Sequence, residues 1–432
     1  MSSRSPLKLL VIVGATAVGK TKLSIELAKA LNGEIVNGDA LQVYRDLNVA
    51  TAKVTEKEAM GVRHHLLSFL KPNESLTVRE YRDQALEVIQ DISSRGKLPI
   101  LVGGTMYYVQ SLIWPSLIDE ETTYLKEEDD KSTAVTKEEE EEEEDQNMYK
   151  ILQKIDPDMA ERLHPNDTRK IRRSIDIFKT YGRRHSELIV EQHRRDAAMQ
   201  PRFDCHAIWL DCSPKIHEIR LSKRIHGMLD DGLLDEVERL WSLIRKDSSD
   251  EKEILLGGVT QAIGFKEFIP WCSLPDEKRT DRSCASVISD LYLEHFDTKP
   301  LDSCLSRLFI NTRKYAKKQL RWINNRFACR NIRVTRLDTS VLENWDKDVL
   351  KPALDVSKSL LRGDPIPKEV KIELDRRNHE FWDSRDIMKW KKRHCEICGS
   401  TTNGKHEWEV HIQSKKHKAM LRRQRRSNKP QL

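Results

Sequence analysis

The sequence predicts an α/β protein built from a core with a parallel sheet and a phosphate-binding loop, a helical insertion, and a small Cys2His2 module near the C-terminal end. Three observations carry this reading. Short apolar runs alternate with helical stretches in the first part of the chain, a glycine loop follows the first of those runs, and four Cys and His residues near the end stand at metal-ligand spacing.

Residues 7–13 read as a strand, 20–31 as a helix, 34–37 as a second strand, 76–95 as an amphipathic helix and 98–103 as a third strand. Strands alternating with helices imply a parallel sheet covered on both faces. Charge then takes over. Between Asp119 and Asp145 there are 15 acids against 3 lysines, with seven consecutive glutamates from Glu138 to Glu144. Such a run cannot bury a core and is expected to be a disordered, solvated insertion. Helical patterns return at 149–163 and 168–181, Ala207–Leu210 re-enters the sheet, and helices follow at 214–230, 232–246 and 300–327. The segment 331–388 has mixed composition and no strong period, so it reads as a linker with some helix. The expected domains are the first part of the core (1–118), the acidic insertion (119–147), a helical insertion (148–200), the second part of the core (201–330), the linker (331–388) and the finger with its basic flanks (389–432).

Hydrophobic residues make up 38% of the 432 and charged ones 33%, so a soluble, charge-rich chain is expected. No apolar run reaches the ~18 residues that span a bilayer, so no membrane partner is expected. Leu7–Val13 is too short for a signal segment and runs into the glycine loop, as a buried strand would. Eight cysteines in a chain this long make no disulfide framework, which points to a reducing compartment, the cytoplasm, the nucleus or an organelle matrix. A short basic N-terminus (Arg4, Lys8) adds the expectation of a mitochondrial pool. The net charge of +6 is unevenly spread, with 13 Lys/Arg against 3 acids from Lys389 onward. A very basic tail on a basic body suggests a polyanionic partner.

Gly14-Ala15-Thr16-Ala17-Val18-Gly19-Lys20-Thr21 fits the P-loop pattern G-x4-G-K-[ST] and lies between a strand and a helix, the context that motif needs. Its glycines let backbone N–H groups curl round a phosphate, the helix N-terminus adds partial positive charge, and Lys20 adds a full one. Thr21 is the expected Mg2+ ligand. The loop indicates phosphate binding without saying which phosphate compound. A kinase or NTPase would need a second acid at a strand end, and Asp211 is the candidate. That reading, and an RNA-binding protein with a vestigial loop, stand as rivals.

Two helices read as anion-facing. Arg169, Lys170, Arg172 and Arg173 crowd the first turns of the 168–181 helix, around an apolar stripe of Ile171, Ile175 and Phe178. Cations at a helix start oppose the macrodipole, so they ask for an anionic partner. Near 314–327, Ala316, Leu320, Ile323 and Phe327 form the apolar stripe, and Lys314, Lys317, Lys318 and Arg321 lie opposite. The set Cys395-x2-Cys398-x12-His411-x5-His417 has the spacing of a tetrahedral Zn2+ site. Metal would supply folding energy that so short a unit lacks, and Trp408 is its candidate core. Basic runs Lys389–Arg393 and Arg422–Arg426 flank it.

Four further segments narrow the choice: Val36–Tyr44, Val102–Tyr108, His164–Asp167 and Gly258–Glu267. The first two lie beyond strand carboxyl ends, where open α/β sheets bind ligands. With the P-loop and Arg313–Trp322, these segments resemble the tRNA dimethylallyltransferase (tRNA isopentenyltransferase) family from about residue 9 to 327. The finger resembles that of its eukaryotic members. The resemblance implies transfer of a dimethylallyl group from dimethylallyl diphosphate to the exocyclic amine of the adenosine 3′ of the anticodon. The loop residues Gly14, Thr16, Ala17, Gly19, Lys20 and Thr21 would then hold a diphosphate, with Mg2+ on Thr21. Asp39 matches the family's general base, Thr105 a hydroxyl important for activity, and Arg224 a catalytic cation; Arg220, one turn earlier, also matches. The tRNA anticodon stem-loop is the implied partner, contacted by Asp39, Ala40, Leu41 and Gln42, with Gln42 reading the adenine edge, and by Arg169, Lys170, Ile171, Arg172 and Arg173. A monomer is expected. The chain departs from the family pattern at Ala40, where serine usually follows the aspartate, and at Ala15, where proline is common.

Overall fold

Six strands pair side by side: β1 (Lys8–Gly14), β2 (Gly33–Asn37), β3 (His64–His65), β4 (Leu98–Val102), β5 (Asp204–Asp211) and β6 (Arg333–Asp338), in the order β3-β2-β4-β1-β5-β6. Every pairing is parallel. This computed structural model describes residues 6–115, 148–198, 200–247, 258–275, 277, 279, 300–324, 332–365 and 392–427. The acidic insertion expected at 119–147 lies outside the described residues. The central strands are continuous apolar runs because helices cover both faces. Along β1, Leu10 and Ile12 enter one core while Leu9, Val11 and Val13 enter the other.

The longer helices are α1 (Lys20–Ala30), α2 (Val78–Ser94), α3 (Met106–Ile113), α4 (Pro157–Arg162), α5 (Thr168–Tyr181), α6 (His185–Ala198), α7 (Pro214–Asp230), α8 (Leu233–Asp247), α9 (Pro300–Trp322), α10 (Lys351–Arg362), α11 (Gly404–Gln413) and α12 (Lys415–Ser427). Helix α2 shows why such segments start where they do. The Thr77 hydroxyl accepts from the Glu80 N–H (3.2 Å) and the Glu80 carboxylate accepts from the Thr77 N–H (2.8 Å), a reciprocal cap. Its apolar face, Tyr81, Ala85, Ile89 and Ile92, is buried against the sheet. Among the described residues, no helix is long and apolar enough to cross a membrane.

The segment expected to be a linker is core over 332–365. Strand β6 pairs with β5 from His206↔Arg333 to Asp211↔Asp338, and α10 buries Ala353, Val356 and Leu360 in the same cluster as α1. An edge strand has one neighbour and needs only half an apolar pattern, so its basic residues hid it. Two of them, Arg333 and Arg336, are ion-paired to Asp204 and Asp211 of β5. Lys8 at the start of β1 donates to the carbonyls of Leu360 (2.8 Å) and Leu361 (2.6 Å), binding α10 to the sheet. Between β6 and α10, Trp345 is buried against the phosphate loop. A Cβ on Gly19, whose φ is +94°, would stand 2.8 Å from the indole. The indole N–H donates to Glu26 (2.8 Å), and Lys22 Nζ lies 4.3 Å over the ring. The rest of the expected linker, 366–388, lies outside the described residues.

The chain divides into two compact units, 1–120 with 199–374 and 121–198 with 375–432. The helical insertion and the finger, expected as separate domains, therefore fall in one unit. Its apolar centre is Leu152, Met159, Ala160, Leu163, Ile171 and Ile175. The finger hairpin, β7 (Lys392–His394) against β8 (Thr401–Asn403), touches it through Lys392. That ammonium donates to the Tyr149 hydroxyl and to the Ala160 carbonyl (2.8 Å), and lies 4.7 Å over the Tyr149 ring.

In the first unit, β2 carries a buried carboxylate, Glu34. It accepts from Arg95 through both guanidinium nitrogens (2.7 Å each), from Lys97 (2.6 Å) and from His65 (2.8 Å). The Arg95 hydrogen bonds hold its carboxyl well below the ordinary 4.5, against the opposing effect of burial. A depressed carboxyl contributes stability that is present above its unfolded value and lost as the pH falls through the folded one. Glu34→Gln is expected to lower stability at pH 7 by about 1–3 kcal/mol, because its cationic partners are partly exposed and can return to water. It should also make stability less sensitive to pH below about 4.5. Denaturant unfolding at pH 7 and pH 3 checks this; an unchanged acid limb would contradict it.

Candidate active site and metal centre

The sequence-predicted site residues of the first unit converge at the carboxyl ends of three neighbouring strands. The P-loop follows β1, Asp39 follows β2, and Thr105 follows β4. The loop closes on itself: Lys20 Nζ donates to the carbonyls of Gly14 (3.1 Å) and Ala15 (2.7 Å). Ala17 holds a left-handed conformation (φ 65°), a strain tolerated where a loop is shaped for a ligand. Thr21 lies exposed on the first turn of α1. Thr16 is committed differently from expectation. Its N–H donates to Gln319 Oε1 (2.9 Å) and its carbonyl meets His217 Nε2 (2.8 Å). Only its hydroxyl is left to offer a phosphate.

Asp39 is held by a buried scaffold. The Tyr81 hydroxyl donates to the Asn37 carbonyl (2.8 Å) and its ring stacks on Tyr108, with centroids 3.8 Å apart. The Asn37 side chain in turn accepts from the Asp39 N–H (3.0 Å) and donates to the Asp39 carbonyl (3.0 Å). Asp39 Oδ1 accepts from the Leu41 N–H (3.0 Å), and Oδ2 faces Gly104, 3.3 Å from where a Cβ on that residue would stand. The Thr105 hydroxyl oxygen accepts from the Ala40 N–H (2.9 Å). The backbone donors of Ala40 and Leu41 are thus turned inward, which leaves their remaining groups for any RNA contact. Gln42 donates to the Thr51 carbonyl (3.0 Å), so half of its amide fastens its own loop. Three N–H groups of that loop, from Asn48 (2.6 Å), Val49 (2.8 Å) and Ala50 (2.9 Å), converge on the buried Glu236 carboxylate. The Gly258–Glu267 motif packs beneath: Val259, Ala262 and Phe265 are buried, and Glu267 accepts from the Gly264 N–H (2.8 Å).

Arg224, on α7, brings a second cation to the loop. Burial lowers the Lys20 ammonium to about 7; the Arg224 charge lowers it further and Asp39 works the other way. Burial also lowers Arg224, again opposed by Asp39. Two poorly solvated cations that repel each other, facing one carboxylate, make a site that favours a multiply charged anion. Arg220 does not share it. Its guanidinium is spent on the Thr339 hydroxyl (3.0 Å) and on the carbonyls of Thr339 and Ser340, which anchors the chain after β6. Asp211, the candidate second metal acid, is engaged by Arg336.

Sequence reasoning missed Gln319, Tyr315, His217 and Trp345. The first two lie inside the Arg313–Trp322 motif, which was the available signal; His217 and Trp345 carried none. On the same helix, Lys314, Lys317, Lys318 and Arg321 are exposed as expected, opposite buried Ala316 and Ile323.

In the second unit, Asp167 caps α5, accepting from the Lys170 N–H (3.4 Å), and its carboxylate pairs with the Lys170 ammonium (2.5 Å). This explains the His164–Asp167 motif and offsets part of the charge at the helix start. Arg172 is exposed. Ile171 is fully buried, and its side chain belongs to the apolar centre of the unit. Phe178 is only half-buried, and Ile177 takes the buried position.

Cys395, Cys398, His411 and His417 come together, with all four ligand atoms within 4.8 Å of one another. Metal–ligand bonds of about 2.3 Å to sulfur and 2.0 Å to nitrogen imply tetrahedral edges of about 3.3 Å between nitrogens and about 3.5 Å between nitrogen and sulfur. The site has 3.2 Å from His411 Nε2 to His417 Nδ1, and 3.3 and 3.5 Å from His417 Nδ1 to Cys398 Sγ and Cys395 Sγ. The donor set and its spacing fit Zn2+. Trp408 is only half-buried; its ring leans on His411 (5.8 Å) and lies under the Arg393 guanidinium (5.8 Å).

Residues 42–326 match the family described as IPP transferase. The tRNA dimethylallyltransferase of Mus musculus is 35% identical over 98% of this chain and 88% of its own length. That of Schizosaccharomyces pombe is 32% identical over 96% of this chain and 95% of its own. Among solved structures, a eukaryotic dimethylallyltransferase caught acting on tRNA superposes with a TM-score of 0.71 at 29% identity, covering 98% of both chains.

The finger is testable through its metal. Stripping the protein with a chelator should remove hydrogen-exchange protection from 392–427 and leave the six-stranded sheet intact. Cobalt added back should give the sulfur-to-metal absorption of a tetrahedral thiolate site, and Cys395→Ser should weaken it. A stripped protein with unchanged protection across the finger would contradict the assignment.

Proposed function

The chain belongs to the IPP transferase family, and on that premise we propose that it is a tRNA dimethylallyltransferase, moving the dimethylallyl group of dimethylallyl diphosphate onto the exocyclic amine of the adenosine 3′ of the anticodon. The observation that carries this reading is the mutual placement of Lys20, Arg224 and Asp39: two desolvated cations for a leaving diphosphate beside a carboxylate for the amine proton.

The adenine amine is a weak nucleophile, because its lone pair is delocalised into the ring. As that lone pair forms the new C–N bond, the allylic C–O bond breaks and the diphosphate leaves with the electron pair. The amine proton passes to Asp39, whose Oδ2 is the oxygen not bound to Leu41. Charge that builds on the diphosphate is met by Lys20, Arg224 and the N–H groups of residues 17–21, fixed before the reaction and therefore without reorganisation cost. The Thr105 hydroxyl is fastened to the Ala40 N–H, next to Asp39 in the chain. The free part of the Gln42 amide suits the adenine edge, in the pairing geometry an amide makes with adenine. Mg2+ would be held mainly by diphosphate oxygens and water, with Thr21 as the protein hydroxyl, and when bound would neutralise phosphate charge. The exposed cations of α9, Arg172 and the basic finger suit tRNA phosphates. The kinase alternative loses its second acid, since Asp211 is ion-paired to Arg336.

Incubation with dimethylallyl diphosphate and unmodified tRNA, followed by nucleoside analysis, tests the reading; isopentenyladenosine is the expected product. Asp39→Ala should cut turnover by about two to four orders of magnitude with tRNA affinity little changed. Wild-type turnover in that variant would remove Asp39 from its role, and phosphoryl transfer from ATP in place of prenyl transfer would sink the proposal.

A further inference from the structure

We infer that Gln319 is a positioning residue, holding the phosphate loop and the acceptor side of the site in one register; the inference rests on the transfer reaction proposed above. Strands β1 and β4 are paired as far as Ile12↔Val102. Beyond that pair the sheet no longer ties the two loops together. Yet the loop after β1 holds the diphosphate end of the reaction, and the turn after β4 holds Thr105 and faces Asp39.

Gln319 spans this gap. It reaches in from α9, 303 residues from one partner and 215 from the other, and its side chain is buried. Its Oε1 accepts from the Thr16 N–H (2.9 Å) and its Nε2 donates to the Gly104 carbonyl (3.0 Å). The orientation of the amide is fixed by chemistry, because Thr16 offers a donor and Gly104 an acceptor. The contact depends on the absence of a side chain at Gly104, where a Cβ would stand 2.4 Å from Nε2. One turn earlier on the same helix face, the Tyr315 hydroxyl donates to the same Gly104 carbonyl (3.1 Å). The Tyr315 hydroxyl is pushed up from its ordinary value by burial and by the Asp39 charge, with Thr105 and Gln319 working the other way. Helix α9 therefore carries two adjacent side chains that meet the acceptor side, one of which also meets the phosphate loop.

The consequence is catalytic alignment. The breaking C–O bond is held from β1 and the proton acceptor from β2 and β4, so a slip of about 1 Å between the loops would spoil the approach and cost about a hundredfold in rate. Diphosphate binding itself would suffer less, because the Gln319 hydrogen bonds seen among the described residues go to Thr16 and Gly104 and not to Lys20 or Arg224.

Gln319→Met preserves length and removes both hydrogen bonds. The expected result is a kcat for prenyl transfer lowered by about a hundredfold at saturating tRNA and donor, with the Kd for inorganic diphosphate within about fivefold of wild type. Gln319→Asn, one methylene too short to span both partners, keeps a polar group in place should the methionine variant misfold, and the same split is expected. A merely structural role would lower turnover and diphosphate affinity together, in proportion to lost fold, and that outcome overturns the inference. So does a folded variant with kcat within about threefold of wild type. If the wild type itself binds diphosphate but makes no prenylated adenosine, the proposed function falls first and this inference with it.

Discussion

Lys20 and Arg224 repel each other in a poorly solvated corner of the protein, and much of the first unit can be understood as the means of keeping them there. Burial draws Lys20 down to about 7, and Arg224 pushes in the same direction. Neither cation would hold this position without support. Lys20 is fastened by the Gly14 and Ala15 carbonyls of its own loop, and Arg224 rides on α7, whose buried residues Leu221, Ile225 and Met228 fix the rotation of the helix. Asp39 gives partial compensation across the site. In the proposed reaction the arrangement is costly when empty and favourable with a diphosphate, as expected of a site that stabilises a leaving group.

The rest of the first unit supplies the frame. The parallel sheet brings three strand ends side by side, and each contributes one part of the proposed chemistry. The segment after β6 closes the far side of the phosphate loop with Trp345, and Lys8 ties the helix that follows back to the first strand. Hydrogen bonds from buried side chains set the loops themselves: Asn37 sets Asp39, Glu236 sets residues 48–50, and Gln319 joins the phosphate loop to Gly104. In the second unit the same economy appears at Lys392, which joins the finger to the helical insertion through Tyr149 and Ala160.

What the sequence made legible follows from the range of the interactions. The P-loop, the capped helices and the Cys/His set are local patterns, whose spacing reports their geometry, and the strands and helices they imply are where they were expected. Asp39 and Thr105 were found through resemblance and through their place at strand ends. Strand β6 and α10 escaped because an edge strand needs only half an apolar pattern and its arginines pair with acids more than a hundred residues earlier. Ile171 was assigned to RNA through the resemblance alone, whereas the apolar stripe read from the sequence already placed its side chain in the core, where it lies. Gln319 and Trp345 act on partners about three hundred residues away, and no local period announces such contacts.

On the proposed function, the P-loop site stays electrostatically incomplete until an isoprenoid diphosphate arrives. With Lys20 near 7, most of its ammonium is deprotonated at pH 8. Bringing a diphosphate beside it should restore the charge. Calorimetric titration with dimethylallyl diphosphate at pH 8, in buffers of different ionisation enthalpy, measures the protons exchanged. The account predicts uptake of close to one proton per site by the wild type, from the fraction of Lys20 left neutral, and close to none by Lys20→Met. Binding with no proton uptake in the wild type, or the same uptake in both proteins, would contradict it.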